Sequence, residues 1–386
     1  MAFFRNTTVN LLNLHYGLHA LALSGAGAFF AVFLLRAGVP APGVLTALAA
    51  ILIGRFCIRP FVLPLGKRFG LKPLVVAGTI LTALQYPLLA EVDGVGWALV
   101  VLCVVSSVGD TFYWTSYHAY FASLGDSKHR GHQIGAREAI AALVGIAAPL
   151  LTGWALVTLG PRIAFGATAL VLMLSALPLL RTPNIAVPDQ APGALRAALP
   201  GVLVFIADGW IASGYYFVWQ IALFVSLGES FTAFGGAMAL AAVAGAVGGL
   251  LLGRFIDAGH GRWAVWLGSG SMVLTLLARA AGYGDPALAV AANAAGALVV
   301  GLYVPTVMTA VYNQAQVSPC VLRFHIATEG GWDAGGASGC LLAAGLLATG
   351  ASLAVAMLIS LAGAAAAFFL LRRYYRPNAV AAAQIT

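Results

Sequence analysis

The sequence predicts an all-α integral membrane protein whose twelve transmembrane helices form two pseudo-symmetric bundles of six. Three observations carry this prediction. Of the 386 residues, 61% are hydrophobic and 8% are charged, whereas a soluble domain carries about 25% charged residues. Apolar segments of about 20 residues, the length that crosses a bilayer, recur along the whole chain. Finally, loops of the second half resemble loops of the first.

Charged residues, glycines and prolines bound the apolar segments, and each segment is long enough to span the membrane. The first is too long for the core of a cleavable signal peptide, so we expect it to remain as the first helix. With about 32 residues for each span, only short loops fit and no soluble domain is expected. The predicted spans are 9–35, 41–65, 72–91, 95–123, 134–159, 162–181, 198–227, 231–256, 262–282, 286–315, 325–349 and 352–372.

The distribution of basic residues predicts the orientation, because Lys and Arg concentrate in cytoplasmic loops. Placing both termini in the cytoplasm assigns fourteen basic residues to cytoplasmic segments. It leaves Arg36 and Arg162 outside, with Arg279 as a third candidate. Because the basic residues form no patch on one face, the isoelectric point near 9.5 does not indicate nucleic-acid binding.

A polar, proline-rich stretch, RTPNIAVPDQAPGALRAALP, separates spans six and seven and has the composition of a linker. It divides the chain into an N-terminal bundle, 1–181, a cytoplasmic linker, 182–197, and a C-terminal bundle, 198–386. Loops repeat across it at an offset of about 190 residues, since GKRFGLKP begins at Gly66 and GRFIDAGHGRW at Gly253. Two halves of six spans with parallel topology explain this repeat.

With these loops the chain resembles the major facilitator superfamily over essentially its whole length. The loop between spans two and three matches that family's signature at Arg68, Gly70 and Lys72, although Lys67 holds its aspartate position. The equivalent loop of the second half keeps Gly253, Asp257, Gly261 and Arg262. The resemblance implies a central cavity, lined chiefly by spans 1, 4, 7 and 10, that opens alternately to the two sides as the bundles rock.

Span five contains LVGIAAPLLTGW, which is similar to the Gly-Pro signature of the family's antiporters at Gly145, Pro149 and Gly153. Glycine and proline are also common in membrane helices, where small residues let two helices approach closely. Two interpretations therefore stay open for this stretch, an antiporter signature and a face for close helix packing.

Asp110 lies near the middle of the bilayer, about 21 Å from the cytoplasmic end of span four. Arg55 of span two lies at a similar depth, and Arg59 lies one turn nearer the cytoplasm. A charge at this depth costs at least about 2.5–3.5 kcal/mol, so it must be paired, protonated or hydrated. One interpretation is a fixed ion pair of Asp110 with Arg55 or Arg59; the other is a carboxylate that changes partners or takes up a proton during transport.

Asp208 of span seven is the counterpart of Asp110 in the second half, and Asp333 of span eleven can reach the same cavity. A carboxylate buried in the membrane can take up a proton from one side and release it to the other. We therefore predict that Asp110, Asp208 and Asp333 couple transport to protons.

Aromatic and polar residues accompany these acids, and aromatic faces suit a cavity wall that stacks a flat or cationic solute. His15 and His19 have the i, i+4 spacing of metal ligands, but no further ligand is evident nearby, so no metal is predicted. The predicted substrate-binding residues are His19, Arg55, Tyr113, Trp114, Tyr117, His118, Trp210, Tyr215, Tyr216, Trp219, Gln220, Asn293, Tyr303 and Asn313.

Acidic and basic residues near the cytoplasmic ends of the spans predict a gate whose ion pairs form when the cavity faces outward. Glu138 and Glu329 hold equivalent places in the repeat, and each follows an arginine closely in sequence. The predicted gate residues are Arg68, Arg130, Arg137, Glu138, Asp257, Arg262, Arg323 and Glu329.

No ATP-binding signature is present, so transport is expected to be passive or ion-coupled, and no enzyme is predicted. The prediction is a proton-coupled secondary active transporter that moves a small organic solute by alternating access, as an efflux antiporter. One alternative is a proton-coupled uptake symporter for an anionic or polar metabolite or a sugar, with Arg55 and His19 binding a negative group. Another is a non-transporting membrane sensor.

The expected partners are the small-molecule substrate, protons and the lipid bilayer, with no nucleic acid and no cofactor. We expect a monomer in a bacterial inner membrane. The four cysteines show no CxxC spacing, and we interpret them as small hydrophobic residues without disulfides or metal.

Overall fold

The computed structural model describes residues 7–124, 130–257 and 261–375, with the backbone alone at 122, 130–142, 248–257 and 261. Across these residues the chain forms helices and turns without a strand. The helical segments follow the order that the sequence predicts. They are α1 Thr7–Arg36, α2 Ala41–Phe69, α3 Leu71–Ala90, α4 Trp97–Leu124, α5 Arg130–Thr158, α6 Pro161–Leu180, α7 Ala194–Ser226, α8 Phe231–Asp257, α9 Gly261–Gly282, α10 Pro286–Gln316, α11 Val321–Ala348 and α12 Leu353–Tyr374.

Nine helices in the described residues are long and apolar enough to cross a membrane by length and composition. α5 and α8 are 29 and 27 residues long, and the parts of them whose side chains the structure describes, Leu143–Thr158 and Phe231–Val247, are apolar. The remaining helix, α11, is 28 residues long but carries Arg323, Glu329 and Asp333. The predicted all-α membrane class is confirmed, while the count of twelve spans and their orientation stay predictions.

Two helices are interrupted at equivalent places of the sequence repeat. A π-helical turn occupies Leu23–Gly27 in α1 and Ser213–Val218 in α7. Gly25 and Gly214 lie in these turns, and a Cβ on either would overlap the helix packed against it. The glycines therefore allow α1 to approach α5 and α7 to approach α12 at the point where the helices change their winding.

The two halves repeat the same helix contacts. In the first half, α1 packs on α5 and α6, α3 packs on α4 and α6, and α2 packs on α4. Each of these pairs recurs six helices later, with α7 on α11 and α12, α9 on α10 and α12, and α8 on α10. α7 begins at Ala194, before the predicted start of span seven at 198. The sequence repeat is therefore a structural repeat with parallel topology.

Two equivalent helix pairs, α5–α8 and α2–α11, join the halves. At the first pair the backbones lie very close. A Cβ on Gly153 would lie 2.6 Å from the carbonyl oxygen of Phe231, and a Cβ on Gly235 would lie 2.5 Å from that of Pro149. The small residues of the Gly-Pro stretch thus allow close helix packing, and the antiporter interpretation of the same stretch stays open. The second pair, α2–α11, carries charged side chains instead.

The halves also meet near the end of α1. Phe29 and Phe33 of α1 pack against Phe231 of α8, with ring centroids 6.0 and 6.3 Å apart. Arg36 and Glu229 form an exposed salt bridge beside these rings, 3.4 Å between Nη1 and Oε2. Aromatic packing therefore closes this end of the bundle interface.

The segment between the two halves packs against both of them. The side chain of Asn184 accepts a hydrogen bond from the backbone N–H of Lys72 (3.1 Å) and donates one to the carbonyl of Phe69 (2.8 Å). The carbonyl of Asp189 accepts a hydrogen bond from Arg323 at the start of α11 (2.7 Å). The linker thus connects the halves by contacts as well as through the chain.

Candidate functional site

Ionisable side chains of three helices face one another at the α2–α11 contact. On each helix they are spaced by four or eight residues, so they share one face of that helix. α2 and α4 belong to the first half, and α11 to the second. We call this group the charged layer; it consists of Arg55, Arg59, Asp110, His118, His325, Glu329 and Asp333.

Asp333 is the most enclosed carboxylate of the charged layer, with no exposed side-chain surface. Its Oδ1 lies 3.0 Å from Nε of Arg55. Its Oδ2 accepts hydrogen bonds from Nη2 of Arg59 and from Nε of Arg59, the latter at 3.2 Å. Arg59 also donates to the hydroxyl of Thr115 on α4. Since both guanidiniums belong to the first half and the carboxylate to the second, Asp333 ties the halves together.

Arg55 is shared by three carboxylates. Besides Asp333, it lies 4.0 Å from Oδ2 of Asp110 and 3.8 Å from Oε2 of Glu329. Glu329 in turn lies 3.8 Å from Nε2 of His118. The structure places Glu329, a predicted gate residue, two turns inside α11 with 7% of its surface exposed.

The charged layer contains one more carboxylate than guanidinium, because Arg55 and Arg59 face Asp110, Glu329 and Asp333. Asp110 is the least enclosed of the three, with 21% of its side chain exposed against 9% for Glu329 and none for Asp333. A buried excess charge is unfavourable, and binding of a proton or a cation removes it. The arrangement therefore offers a place for one positive charge.

Asp208 is connected to the charged layer through Trp332 of α11. The indole Nε1 of Trp332 donates a hydrogen bond to Oδ2 of Asp208 (3.0 Å). The ring of Trp332 lies 5.5 Å from the guanidinium carbon of Arg55. Tyr303 of α10 also lies beside Asp208. Of the three predicted proton-coupling residues, Asp110 and Asp333 thus meet in the charged layer, and Asp208 adjoins it.

Aromatic residues of α4 form a cluster with two histidines of α1. His19 stacks on Tyr113 with 4.0 Å between ring centroids and meets Trp114 edge-on at 5.4 Å. Nε2 of His15 lies 3.1 Å from the Tyr113 hydroxyl, and Tyr117 stacks on Tyr113 at 5.4 Å. Neither ring nitrogen of the buried His19 has a hydrogen-bond partner among the described residues. Four predicted binding residues of the first half, His19, Tyr113, Trp114 and Tyr117, are therefore brought together, while Arg55 and His118 belong to the charged layer.

Other predicted substrate-binding residues stabilise the second half internally. Nε1 of Trp219 donates to Oδ1 of Asn293 (3.0 Å), and the Tyr215 hydroxyl donates to a backbone carbonyl of α10 (2.9 Å). Nε1 of Trp210 donates to a backbone carbonyl of α12 (2.9 Å). Asn313 is exposed and lies 3.4 Å from a tyrosine hydroxyl of α12. The structure brings none of these side chains to the charged layer, because their polar atoms bond to neighbouring helices.

Arg279 of α9, a candidate for the outer surface in the sequence, is buried within the second half. Its guanidinium carbon lies 4.1 Å from the ring centroid of Tyr215 and 4.8 Å from that of Trp219, and its Nη1 donates to the carbonyl of Tyr215 (2.7 Å). Two aromatic faces and a carbonyl thus stabilise this cation where the described residues supply no carboxylate. Tyr216 and Gln220, beside the same turn of α7, keep partly exposed side chains.

The predicted gate residues do not form ion pairs with one another in the described part of the chain. Arg68 and Arg262 are exposed, and the guanidinium of Arg68 lies 5.2 Å from the ring of Phe69. Arg323 binds the linker. The side chains of four other predicted gate residues lie outside the described residues: Arg130, Arg137, Glu138 and Asp257.

His118 of α4, in the first half, contacts two residues of the second half. Its Nδ1 lies 3.1 Å from the hydroxyl of Tyr312 on α10, and its ring stacks on His325 of α11 at 5.7 Å. The sequence predicted His118 as a substrate-binding residue, whereas its position also suits a gate.

Thr115, His325 and Trp332 were not predicted from the sequence. For His325 a signal existed, because His325, Glu329 and Asp333 follow i, i+4, i+8 on a helix whose other residues are mostly apolar or small. Thr115 and Trp332 carry no such pattern. The described residues contain no group of three potential metal ligands.

Two helical bundles related by an internal repeat, with charged and aromatic side chains enclosed between them, define a multi-pass membrane transport protein. The family model of the Major Facilitator Superfamily matches residues 12–322. The chain therefore belongs to the Major Facilitator Superfamily, whose members are transporters and not enzymes.

No curated protein sequence matches the chain significantly. Among solved structures, the crystal structure of an auto inhibited POT family peptide transporter is similar, with a TM-score of 0.66 and 14% sequence identity. The match covers 96% of this chain and 97% of that chain. At this identity the likeness shows a shared fold, and it extends over both halves.

Proposed function

We propose that the protein is a proton-coupled secondary transporter that exports a small cationic or aromatic organic solute in exchange for protons, by alternating access. One observation carries the proposal, the unequal number of carboxylates and guanidiniums in the charged layer between the halves. Since the group favours one additional positive charge, a proton and a cationic solute compete for it. Competition of this kind is what exchange transport requires.

Protonation of Asp110 has a defined consequence for the contact between the halves. When Asp110 carries a proton, two guanidiniums face two carboxylates, and Arg55 is left to Asp333 and Glu329 on α11. When Asp110 is ionised, it attracts Arg55 within the first half and weakens the attraction across the interface. Proton binding therefore favours the closed α2–α11 contact, and proton loss favours its opening.

The aromatic cluster around His19 adjoins the charged layer through Trp114, which stacks on His118, and the pair formed by Asp208 and Trp332 adjoins it through Arg55. Aromatic faces stabilise flat and cationic groups, and a carboxylate supplies a counter-ion. We place the solute between these two groups, with Trp114 and Tyr216 as further contacts. The proposal includes the bundle limits 1–181 and 198–386, both termini in the cytoplasm, and a monomer in a bacterial inner membrane.

The exchange is tested with the purified chain in a weakly buffered detergent solution containing a pH dye. Adding an aromatic cation such as tetraphenylphosphonium is expected to release about one proton per protein, because the cation replaces the proton of the charged layer. Asp110→Asn leaves two guanidiniums facing two carboxylates, so this variant should bind the cation more weakly and release no proton. The exposed Asp93 provides a matched control, and Asp93→Asn should release as much as the unmodified protein.

Two results would contradict antiport. Binding of an anionic solute with proton uptake would favour a symporter, in which the free ring nitrogens of His19 bind the negative group. A protein that binds no solute in a thermal-shift screen of metabolites and amphiphiles at two pH values would favour a sensor. For an antiporter, dissipating the pH gradient should raise solute accumulation in cells.

A further inference from the structure

An apolar groove lies on the outer surface of the second half, between α9 and α12. Its volume is about 440 Å³, and its walls include Trp266 and Val273 of α9 and Leu361 and Phe369 of α12. Trp266 is 47% exposed and Phe369 is 64% exposed. The groove belongs to neither the charged layer nor the contact between the halves, so the transport site does not account for it.

A glycine opens the floor of this groove. Gly270 lines it, and a Cβ placed on Gly270 would meet no atom within 4 Å. Because α9 and α12 run in opposite directions, Trp266 lies beside Phe368, with 4.5 Å between ring centroids. From Leu361 to Phe369 the groove extends for about 12 Å along α12, at about 1.5 Å per residue. It is long, narrow and apolar.

Three arginines lie one helical turn beyond the wall residues at one end of the groove. α9 begins beside Arg262, and the last turn of α12 carries Arg372 and Arg373. The guanidinium carbon of Arg372 lies 5.6 Å from the ring centroid of Trp266, at the mouth of the groove. In the part of the chain that the structure describes, none of the three arginines has a carboxylate partner. Their charge is therefore available to a ligand.

We propose that this groove binds an anionic phospholipid, with one acyl chain along Gly270 and the phosphate at the arginines. The charge of the rim matches an anionic headgroup, and the apolar walls match a hydrocarbon chain. Each arginine near a membrane surface strengthens binding of anionic lipid by about fivefold. The site lies at the membrane surface that contains the end of α12.

A second groove on the same protein provides an internal comparison. It lies between α2 and α4, has a volume of about 470 Å³, and is lined by apolar and small residues such as Thr46, Ala50 and Val100. Neither groove has Lys or Arg among its wall residues, but the groove between α9 and α12 has Arg372 in contact with its wall at Trp266. The two grooves thus offer similar space for an acyl chain, and only the groove between α9 and α12 has a cationic rim. Preference for an anionic headgroup is therefore expected at the groove between α9 and α12 and not at the groove between α2 and α4.

The proposal is tested with the delipidated full-length protein by native mass spectrometry. Dioleoyl phosphatidylglycerol and dioleoyl phosphatidylcholine are compared, because they share their acyl chains and differ in headgroup charge. We expect one phosphatidylglycerol to be retained at least fivefold more strongly than phosphatidylcholine. Arg372→Gln should reduce this preference by about fivefold. Gly270→Leu should remove the bound lipid by filling the groove, whereas Thr46→Leu, which fills the comparison groove, should leave it.

Several outcomes would overturn the proposal. Equal retention of the two lipids would show that the arginines do not select a headgroup. Lipid that is still retained by Gly270→Leu would have to bind outside this groove. If Gly270→Leu does not fold, Arg372→Gln provides the test, and an unchanged preference of that variant for phosphatidylglycerol would also contradict the proposal. Glycerol 3-phosphate that competes fully with the lipid would indicate a free phosphate site. A dimer that Gly270→Leu dissociates would assign the groove to a second copy of the chain.

Discussion

Replacing Asp333 with asparagine is expected to destabilise the protein far more than the same replacement at Asp110. Both variants remove one negative charge from the charged layer. Among the described residues Arg59 forms its ion pair with Asp333 and a hydrogen bond with Thr115, so Asp333→Asn leaves this buried cation with neutral partners alone. Asp110→Asn leaves Arg55 with two carboxylates.

The expected loss of unfolding free energy follows from the burial of Arg59, which is left without its carboxylate partner. Removing one partner of a buried ion pair costs about 3–5 kcal/mol, and Asp333→Asn should lie near about 3 kcal/mol because the amide oxygen still accepts a hydrogen bond. Asp110→Asn should change the unfolding free energy by less than about 1 kcal/mol. In thermal melts of the detergent-solubilised protein, the first variant should lower the melting midpoint by about 5 °C or more.

A double variant distinguishes the cost of an unpaired buried guanidinium from the cost of altered side-chain packing. Arg59→Met in the Asp333→Asn background removes the unpaired guanidinium, and apolar residues of similar volume replace buried ion pairs with little loss. The double variant should therefore melt at a higher temperature than Asp333→Asn alone. The reasoning is refuted if Asp110→Asn and Asp333→Asn melt alike, or if Arg59→Met adds a further loss.

Three further predictions concern other parts of the molecule, each checked by the melting midpoint. Gly235→Ala should destabilise the α5–α8 contact by about 1–3 kcal/mol because its Cβ would lie 2.5 Å from a facing carbonyl oxygen, whereas Gly236→Ala has open space and should be neutral. Arg279→Lys should cost about 1–2 kcal/mol, since an ammonium does not stack on two rings as a guanidinium does; an unchanged midpoint would contradict this stacking role. The hydrogen bonds of Arg162 lower the pKa of Glu91. Because the ionised carboxylate is the form that is bound, these bonds stabilise the folded protein above the ordinary pKa of a glutamate. This stabilisation is lost as the pH falls through the lowered pKa. Arg162→Gln should therefore make the acid-side fall of the melting midpoint shallower, and an identical pH profile would disprove the coupling.

The depth of the ionisable residues could be predicted from the sequence because the helical rise fixes it. Counting residues along spans two and four placed Arg55 and Asp110 at one level, and their side chains lie 4.0 Å apart. The rotation of each helix about its axis could not be predicted in this way. α11 turns Asp333 and Glu329 toward α2, and this rotation is set by packing against α7 and α2.

The same limit explains why some predicted binding residues lie away from the charged layer. Trp219 and Asn293 have the residue types of a cavity wall, but a polar atom on a membrane helix is equally well satisfied by a neighbouring helix. His325 illustrates the converse case, since its spacing with Glu329 and Asp333 was visible and would have indicated a polar face on α11.

The ordered linker affects how the protein can be divided. Residues around Asn184 remain bound to the first half through Phe69 and Lys72, so a chain break placed after Gly193 would leave this segment attached to its own bundle. The hydrogen bond from Arg323 to the carbonyl of Asp189 would then guide a separately synthesised second half to its docking position. Two polypeptides produced in one cell should thus assemble into a functional split carrier.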